Sequence, residues 1–158
     1  MITREFRIGD ELALYQVFYS AIHEIASQNY TPEQINAWAP AEIDQDRWIN
    51  KMRDINPFVV EVAGKIVAYA DVQLNGYIDH FFVAGATARQ GVGSMLMNHI
   101  HQSATTQSIT TLTAHVSLTA QPFFTKFGFS IMEQCCPVIR GVAFSNALMS
   151  KNLDSLVV

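Results

Sequence analysis

Two hydrophobic periods run through the chain, and they divide it into strands and helices. Ile2–Ile8 predicts a short first strand closed by Gly9. Asp10 is placed as the cap of a helix running to about Ser27, with Leu14, Phe18, Ala21 and Ile25 as its buried stripe. Thr31-Pro32-Glu33-Gln34 is a helix start: threonine caps, proline suits the first turn, and Gln34 completes a capping box. That helix carries Ile35, Ala37 and Trp38 and stops near Pro40. A third helix, about Asp44–Asp54, presents Trp48 and Met52 on one side. Pro57–Val62 and Lys65–Leu74 read as strands joined at Ala63-Gly64. Asn75-Gly76 is a hairpin signal, because both residues tolerate positive φ. The aromatic and β-branched run Tyr77–Val83 is the next strand. Beyond it, Val92, Met95, Leu96 and Ile100 recur at helical spacing. The polar stretch Ser103–Ser108 reads as a loop, and Ile109–Val116 as a strand. Thr119 is placed as the cap of a short helix ended by Gly128. Ser130–Cys135 and about Val142–Met149 complete the strands.

This order, β-α-α-α-β-β-β-α-β-α-β-β, predicts a mixed sheet with helices on both faces. The 158 residues predict one domain spanning 1–158. With 49% apolar and 15% charged residues, a folded globule is expected. Ten Lys and Arg against 14 Asp and Glu give a net charge of −4, which argues against a nucleic-acid partner. No apolar run is long enough for a membrane span. Arg4, Glu5 and Arg7 leave no apolar signal core, so a cytoplasmic location is expected. The adjacent Cys135 and Cys136 are poorly placed for a mutual disulfide and read as thiols in a reducing compartment. No metal site is expected.

Candidate chemistry concentrates in Phe81–Met97, which reads as strand, glycine-bearing loop and helix. A helix N-terminus carries free N–H groups and partial positive charge. Gly91 and Gly93 would let a phosphate or pyrophosphate approach that backbone closely. No lysine completes a Walker loop, and Leu96 replaces the third glycine of a dinucleotide fingerprint. From spacing alone, an anion site and a plain packing connection both stay open.

Arg89-Gln90-Gly91-Val92-Gly93-Ser94 resembles the acyl-CoA pyrophosphate loop of the GNAT N-acetyltransferase superfamily, departing from its pattern at Ala88 and Gly85. Ala120-Gln121-Pro122-Phe123-Phe124-Thr125-Lys126-Phe127-Gly128-Phe129 resembles the second motif of that superfamily. Further stretches, including Ser27–Ala39, Tyr77-Ile78-Asp79 and Arg140-Gly141, are similar to its YafP-like branch, so the resemblance runs over nearly the whole chain. It implies an α/β (α+β) fold of GNAT type, with a mostly antiparallel central sheet of about seven strands. The activity implied is acetyl transfer from acetyl-CoA to a primary amine of a small molecule or peptide, directly within a ternary complex.

The same resemblance assigns roles. Phe81, Phe82 and Val83 would offer strand backbone to the pantetheine arm, with an N–H near Val83 as oxyanion donor. Arg89, Gln90, Gly91, Val92, Gly93 and Ser94 would cradle the pyrophosphate, and Phe124 would pack on the CoA arm. Lys126 reads equally as a phosphate contact or as a solvated helix lysine. Asp79 is the preferred base; His80 and Glu24 are alternatives. On a regular strand Asp79 and His80 face opposite ways. Phe124 stands where the family carries an acidic tyrosine, so Tyr30, Tyr77 or water would replace it. Ser117 stands where an asparagine is frequent. Tyr30, Trp38 and Trp48 are candidate pocket aromatics, and Glu24, Trp38 and Tyr77 candidate acceptor contacts. The rival readings are a CoA-binding sensor with little turnover and a partner-bound module, including a homodimer through exposed aromatics of the last strands.

Overall fold

The computed structural model describes residues 1–153. Strand β1 (Ile2–Glu5) leads into α1 (Glu11–Glu24), a 3-10 turn at Ala26–Gln28, α2 (Pro32–Trp38) and α3 (Gln45–Ile55). β2 (Phe58–Val62), β3 (Lys65–Ala70), β4 (Tyr77–Ile78) and β5 (Phe81–Val83) follow. Then come α4 (Val92–Thr106), β6 (Thr111–Ser117) and α5 (Gln121–Lys126). β7 (Ser130–Cys135), β8 (Val138–Ile139), β9 (Val142–Ala143) and β10 (Asn146–Asn152) end the described chain.

The strands form two ladders, β1-β2-β3-β5 and β4-β6-β10-β7, with β8-β9 as a separate ribbon. Every pairing within the two ladders is antiparallel except β4 with β6. The run Tyr77–Val83 is therefore not one strand. It breaks at Asp79-His80, so that β4 belongs to one half-sheet and β5 to the other. Counted as one, β4/β5 gives the expected mixed frame of seven strands.

Period-two alternation puts the two faces of the sheet in different cores. Val59 and Tyr69 pack with Leu14, Phe18, Ile22 and Met52 beneath the first three helices. Val60, Ala68 and Ala70 pack on the opposite face with Leu96, Met97, Ile100 and Phe124 of α4 and α5. Leu112, Ala114, Val116, Ala147 and Met149 extend that second core through β6 and β10.

Local signals held where they were purely local. The Thr31 capping box forms, with Gln34 N–H donating to Thr31 Oγ1 at 3.2 Å and Thr31 N–H to Gln34 Oε1 at 2.8 Å. Gly128, at φ +93°, closes α5 with Phe129 N–H on Phe124 O at 3.1 Å and Gly128 N–H on Thr125 O at 3.0 Å. Other boundaries move for tertiary reasons. Asp10 does not cap α1. Its backbone is already helical, and its carboxylate accepts instead from Arg7 N–H at 2.8 Å and Arg4 Nη1 at 2.9 Å. Ser103–Thr106 is helix, not loop: Ala104 continues the buried stripe of α4, and Thr105 and Thr106 donate back to the carbonyls of His101 and Gln102. Thr119 does not cap α5 either. Ala120 occupies the cap position, and Ser117 Oγ accepts its N–H at 3.2 Å.

The predicted strand Val142–Met149 is split at Phe144-Ser145, because Phe144 N–H turns to Pro137 O at 2.8 Å. The β8-β9 ribbon then folds onto α2, with Arg140 Nη1 donating to Ala37 O at 2.7 Å. This corrects the expected aromatic interface: Phe144 and Phe129 are each buried, in the two different cores, and the exposed apolar residues of edge strand β7 are Ile131 and Met132. Among the described residues no helix is long and apolar enough to cross a membrane.

Candidate active site

The strand break opens the site. β5 bonds only β3, and β4 bonds only β6, so the edges of β5 and β6 are not joined beyond the break. A cavity of about 560 Å³ occupies the gap and runs to the start of α4. Ile22, Ile25 and Ala26 from the α1 side, and Trp38 from α2, line one wall. Phe81, Phe82 and Val83 of β5 line another, and Ser117, Thr119, Phe123 and Phe124 a third. A second depression, of about 540 Å³ between α1 and residues 41–45, holds none of the expected site residues.

The cavity ends on an uncapped helix. Gly91 is the cap residue of α4 at φ +83°, and no side chain caps the helix. The first amide to close onto the helix is Met95 N–H, on Gly91 O at 3.1 Å, so those of Val92, Gly93 and Ser94 lack intrahelical partners. A Cβ built at Gly91 meets nothing within 4 Å, so the space before these amides is open. A Cβ at Gly93 would lie 3.2 Å from Phe123 Cζ, so this glycine seats α5 against α4. Arg89, held at φ +62°, and Lys126 add two cations to the lining. Free amides, helix dipole and cations together suit a polyphosphate.

The open edge of β5 offers donors of its own. Asp71 N–H bonds His80 O at 3.1 Å and Ala84 N–H bonds Val67 O at 2.8 Å. Antiparallel alternation then turns the amides of His80, Phe82 and Ala84 toward the β3 side, and those of Phe81 and Val83 toward the gap. Thr119 lines the cavity, and its Oγ1 is buried there with no hydrogen-bond partner among the described residues. A buried hydroxyl without a partner is costly, and a ligand polar group beside it would relieve that. The inner cavity is otherwise aromatic, with Phe81 at 5.5 Å from Phe123 and 5.4 Å from Phe124 between ring centroids. An apolar slot with a few polar groups and an anion-binding end fits a long acyl thioester carrying phosphates.

Of the residues expected to hold CoA, Phe81, Phe82, Val83, Arg89, Gly91, Gly93, Ser94, Phe124 and Lys126 line the cavity. Val92 does not, being buried in the core, and the exposed Gln90 turns its side chain back to Ala86 O at 3.3 Å. Trp38 lines it, whereas Trp48 packs inside the helical layer and donates Nε1–H to Glu11 O at 2.7 Å.

The expected catalytic residues lie around the cavity and not in its lining. Asp79 pairs with Lys51 Nζ at 2.6 Å. His80 stacks on Phe18 and stands 5.5 Å from the Phe82 ring, which separates it from the slot. Because neither residue is in a strand, both side chains reach the α1/α3 side, against the expectation of opposite faces. Burial pushes the His80 imidazole down to about 4, with Asp79 opposing, so it is neutral near pH 7. Its Nδ1 is 2.9 Å from the Tyr69 hydroxyl. Tyr30 donates its proton to Ser145 O at 2.6 Å and accepts Leu118 N–H at 3.0 Å. Its hydroxyl thus ties two loops together. Tyr77 lies on β4 with its hydroxyl 2.8 Å from His115 Nδ1, outside the lining. Glu24 is exposed, accepts from Ser20 Oγ at 2.8 Å and rests on Gly85. A Cβ at Gly85 would lie 2.8 Å from the Cβ of Glu24, which explains a glycine at that departure from the loop pattern.

Asp71 and Tyr69 escaped the sequence reading. Their only signal was an acid inside a predicted strand and a tyrosine two residues before it.

The profile described as acetyltransferase (GNAT) domain matches residues 26–144. The chain is 34% identical over 146 residues to an uncharacterized N-acetyltransferase, YafP, of Escherichia coli (strain K12), with 92% of each chain covered. A crystal structure of a GCN5-related N-acetyltransferase from Rhodopseudomonas palustris superposes with a TM-score of 0.91 at 24% identity, covering 96% of this chain and 95% of that one. YncA from Salmonella typhimurium, solved with acetyl-CoA, reaches a TM-score of 0.70 at 16% identity over 100% of this chain and 96% of its own. Loop, splayed strand and sequence agree: the chain belongs to the GNAT acetyltransferase family, in its YafP-like branch.

Proposed function

We propose that this chain, acting as one domain, moves the acetyl group of acetyl-CoA to a primary amine of a small molecule or peptide, by direct attack in a ternary complex. The observation that carries this reading is the joining of an uncapped helix N-terminus to an apolar slot beside an open strand edge, in one cavity. The pyrophosphate sits on the amides of the α4 start, between Arg89 and Lys126. The pantetheine arm runs between β5 and the aromatic face of Phe123 and Phe124. The Val83 N–H, turned to the gap, receives the carbonyl oxygen as it becomes an oxyanion.

The acceptor arrives as an ammonium and loses one proton before its lone pair attacks the thioester carbon. The C–N bond forms, the nitrogen, now cationic, gives its second proton to water, the C–S bond breaks, and the CoA thiolate departs with the electron pair. Asp79, at the strand break, takes the ammonium proton through water. Direct transfer is favoured because no cysteine lines the cavity among the described residues, and Cys135 and Cys136 lie on or beside the far edge strand. Phe124 has no hydroxyl and Tyr30 has committed its own, so the thiolate takes its proton from solvent. That same observation favours the second reading, a CoA-binding module of low turnover.

The test is thiol release from acetyl-CoA across a panel of primary amines. Acceptor-dependent release, reduced in Asp79→Asn with acetyl-CoA affinity unchanged, is the expected result. Tight acetyl-CoA binding with no acceptor-dependent release would favour the binding module.

A further inference from the structure

The break in the central strand is built around a buried acid that no part of the cavity touches. Asp71 follows β3 directly and is 1% exposed. One carboxylate oxygen, Oδ1, accepts both His80 N–H at 2.6 Å and Asp79 N–H at 3.1 Å. The other, Oδ2, accepts Gln73 Nε2–H at 2.7 Å, and the same Gln73 nitrogen donates to Ile55 O at 3.0 Å. In a regular strand, successive amides point to opposite neighbours. Here two successive amides converge on one oxygen, which requires the backbone to turn between them.

We propose that Asp71 is the positioning residue of the transfer site: its carboxylate takes the place of the missing ladder partner at Asp79-His80 and so holds β5 away from β6 with the Phe81 and Val83 amides facing the gap. This rests on the acetyl-transfer reading above.

Three further observations agree. β4 pairs with β6 only through Tyr77 opposite Thr113 and Ile78 opposite Ala114, so the ladder ends directly before the two amides that Asp71 holds. Gly76 permits the approach on that side, since a Cβ there would lie 1.9 Å from Thr111 O. The turn also sends the His80 ring to Tyr69. Tyr69 is fully buried, and His80 Nδ1 is its hydroxyl's one partner among the described residues. If the hydroxyl only accepted, its own proton would be left unpaired in the core. Tyr69 therefore donates, Nδ1 accepts, and the imidazole proton sits on Nε2. In that tautomer His80 serves as a hydrogen-bond donor and not as the amine's base. The charged and titratable groups around Asp71 are Asp79, with its partner Lys51, His80, Tyr69 and Tyr77.

The test compares the wild-type chain with Asp71→Val and Asp71→Asn by amide NMR during titration with acetyl-CoA and with CoA. In the wild type, Gly91 and Gly93 amides shift with both ligands, and those of Phe81 and Val83 shift further with the acetyl group present. Valine leaves two buried amides without an acceptor. In Asp71→Val the Gly91 and Gly93 response persists, with affinity within about threefold because the helix start is a separate site. The acetyl-specific response of Phe81 and Val83 disappears. Asparagine keeps Oδ1 as the acceptor of both amides and restores that response, giving up only the bond from Gln73, whose Nε2 stays on Ile55 O. An acetyl-specific response in Asp71→Val equal to the wild type's overturns the proposal. So does its loss in a folded Asp71→Asn, which decides the matter even if the valine variant does not fold. No response of Gly91 and Gly93 in the wild type would instead refute the acetyl-CoA reading.

Discussion

Gly91 separates the electrostatic account of the anion site from a purely steric one. Three substitutions, Gly91→Ala, Gly91→Glu and Gly91→Lys, share the same backbone problem: φ is +83°, where any residue with a Cβ is strained by about 1–2 kcal/mol. That strain acts on stability, and it is common to all three. No atom lies within 4 Å of the new Cβ, so alanine does not clash and the two longer side chains start into open space. What differs is charge at the phosphate position. With a carboxylate about 6 Å from each of two phosphates and an effective dielectric near 40, repulsion is about 1.4 kcal/mol per phosphate. Two phosphates make about 3 kcal/mol, or roughly a hundredfold in Kd. Calorimetric titration with acetyl-CoA is the assay, at low and at high salt. Alanine should bind within about threefold of the wild type, glutamate about a hundredfold more weakly, and lysine no more weakly than alanine. The gap between glutamate and lysine should narrow as salt rises, because exposed charges are screened beyond about 8 Å at 0.15 M. Equal affinities for the alanine, glutamate and lysine variants would show that no phosphate sits at the start of α4.

Other outcomes follow from single contacts. Thr119→Val replaces a buried hydroxyl that has no partner, so the free protein should hold or gain about 1 kcal/mol in urea unfolding while acetyl-CoA affinity falls about tenfold; unchanged affinity would mean that no ligand group meets the hydroxyl. Gly85→Ala places a Cβ 2.8 Å from the Cβ and carboxylate of Glu24 and should lower the Tm by a few degrees, an effect of about 1–2 kcal/mol that a Glu24→Gly background, which removes that Cβ too, should relieve; equal losses with and without the Glu24 side chain would refute the contact. Acid stability tests the strand break. Burial holds His80 near 4, below its ordinary 6.5, so the unfolded chain binds the proton first and stability falls, by about 3 kcal/mol, as pH drops through that window. Burial holds Asp71 at about 6, above its ordinary 3.8, so the folded chain binds that proton first and stability rises, by a similar amount of about 3 kcal/mol, as pH drops from 6 toward 4. The two nearly cancel in the wild type. Asp71→Asn removes the second, so its urea midpoint should fall between pH 6.5 and 4.5 while the wild type's stays nearly flat, and parallel curves would refute the assignment.

What the sequence by itself determined is what depends on near neighbours in the chain. Thr31 and Gln34 close their box because both donors and both acceptors lie within four residues. Gly128 ends α5, and Gly91 opens the start of α4, because backbone conformation at a glycine is a local property. The helical stripes and most strands were legible for the same reason, as was the order of elements that gives the GNAT frame. The lining of the cavity was largely legible too, since much of it comes from one loop and its flanking strand.

The tertiary structure decided where the strand breaks. Nothing in Tyr77–Val83 interrupts its strand character, because the acceptor that turns the backbone at Asp79-His80 belongs to Asp71, on the preceding strand side. It also decided which polar groups are free. Asp10 and Thr119 have the chemistry of caps, yet Arg4 and Arg7 draw Asp10 away, and Ala120, its N–H held by Ser117, takes the cap position expected for Thr119. Tyr30 looked available as an acid until folding brought it to Ser145 and Leu118, 115 and 88 residues away in sequence. A hydrogen bond satisfies whichever partner the fold delivers. Pattern can name the groups able to do the chemistry, but only packing settles which of them remain uncommitted at the site.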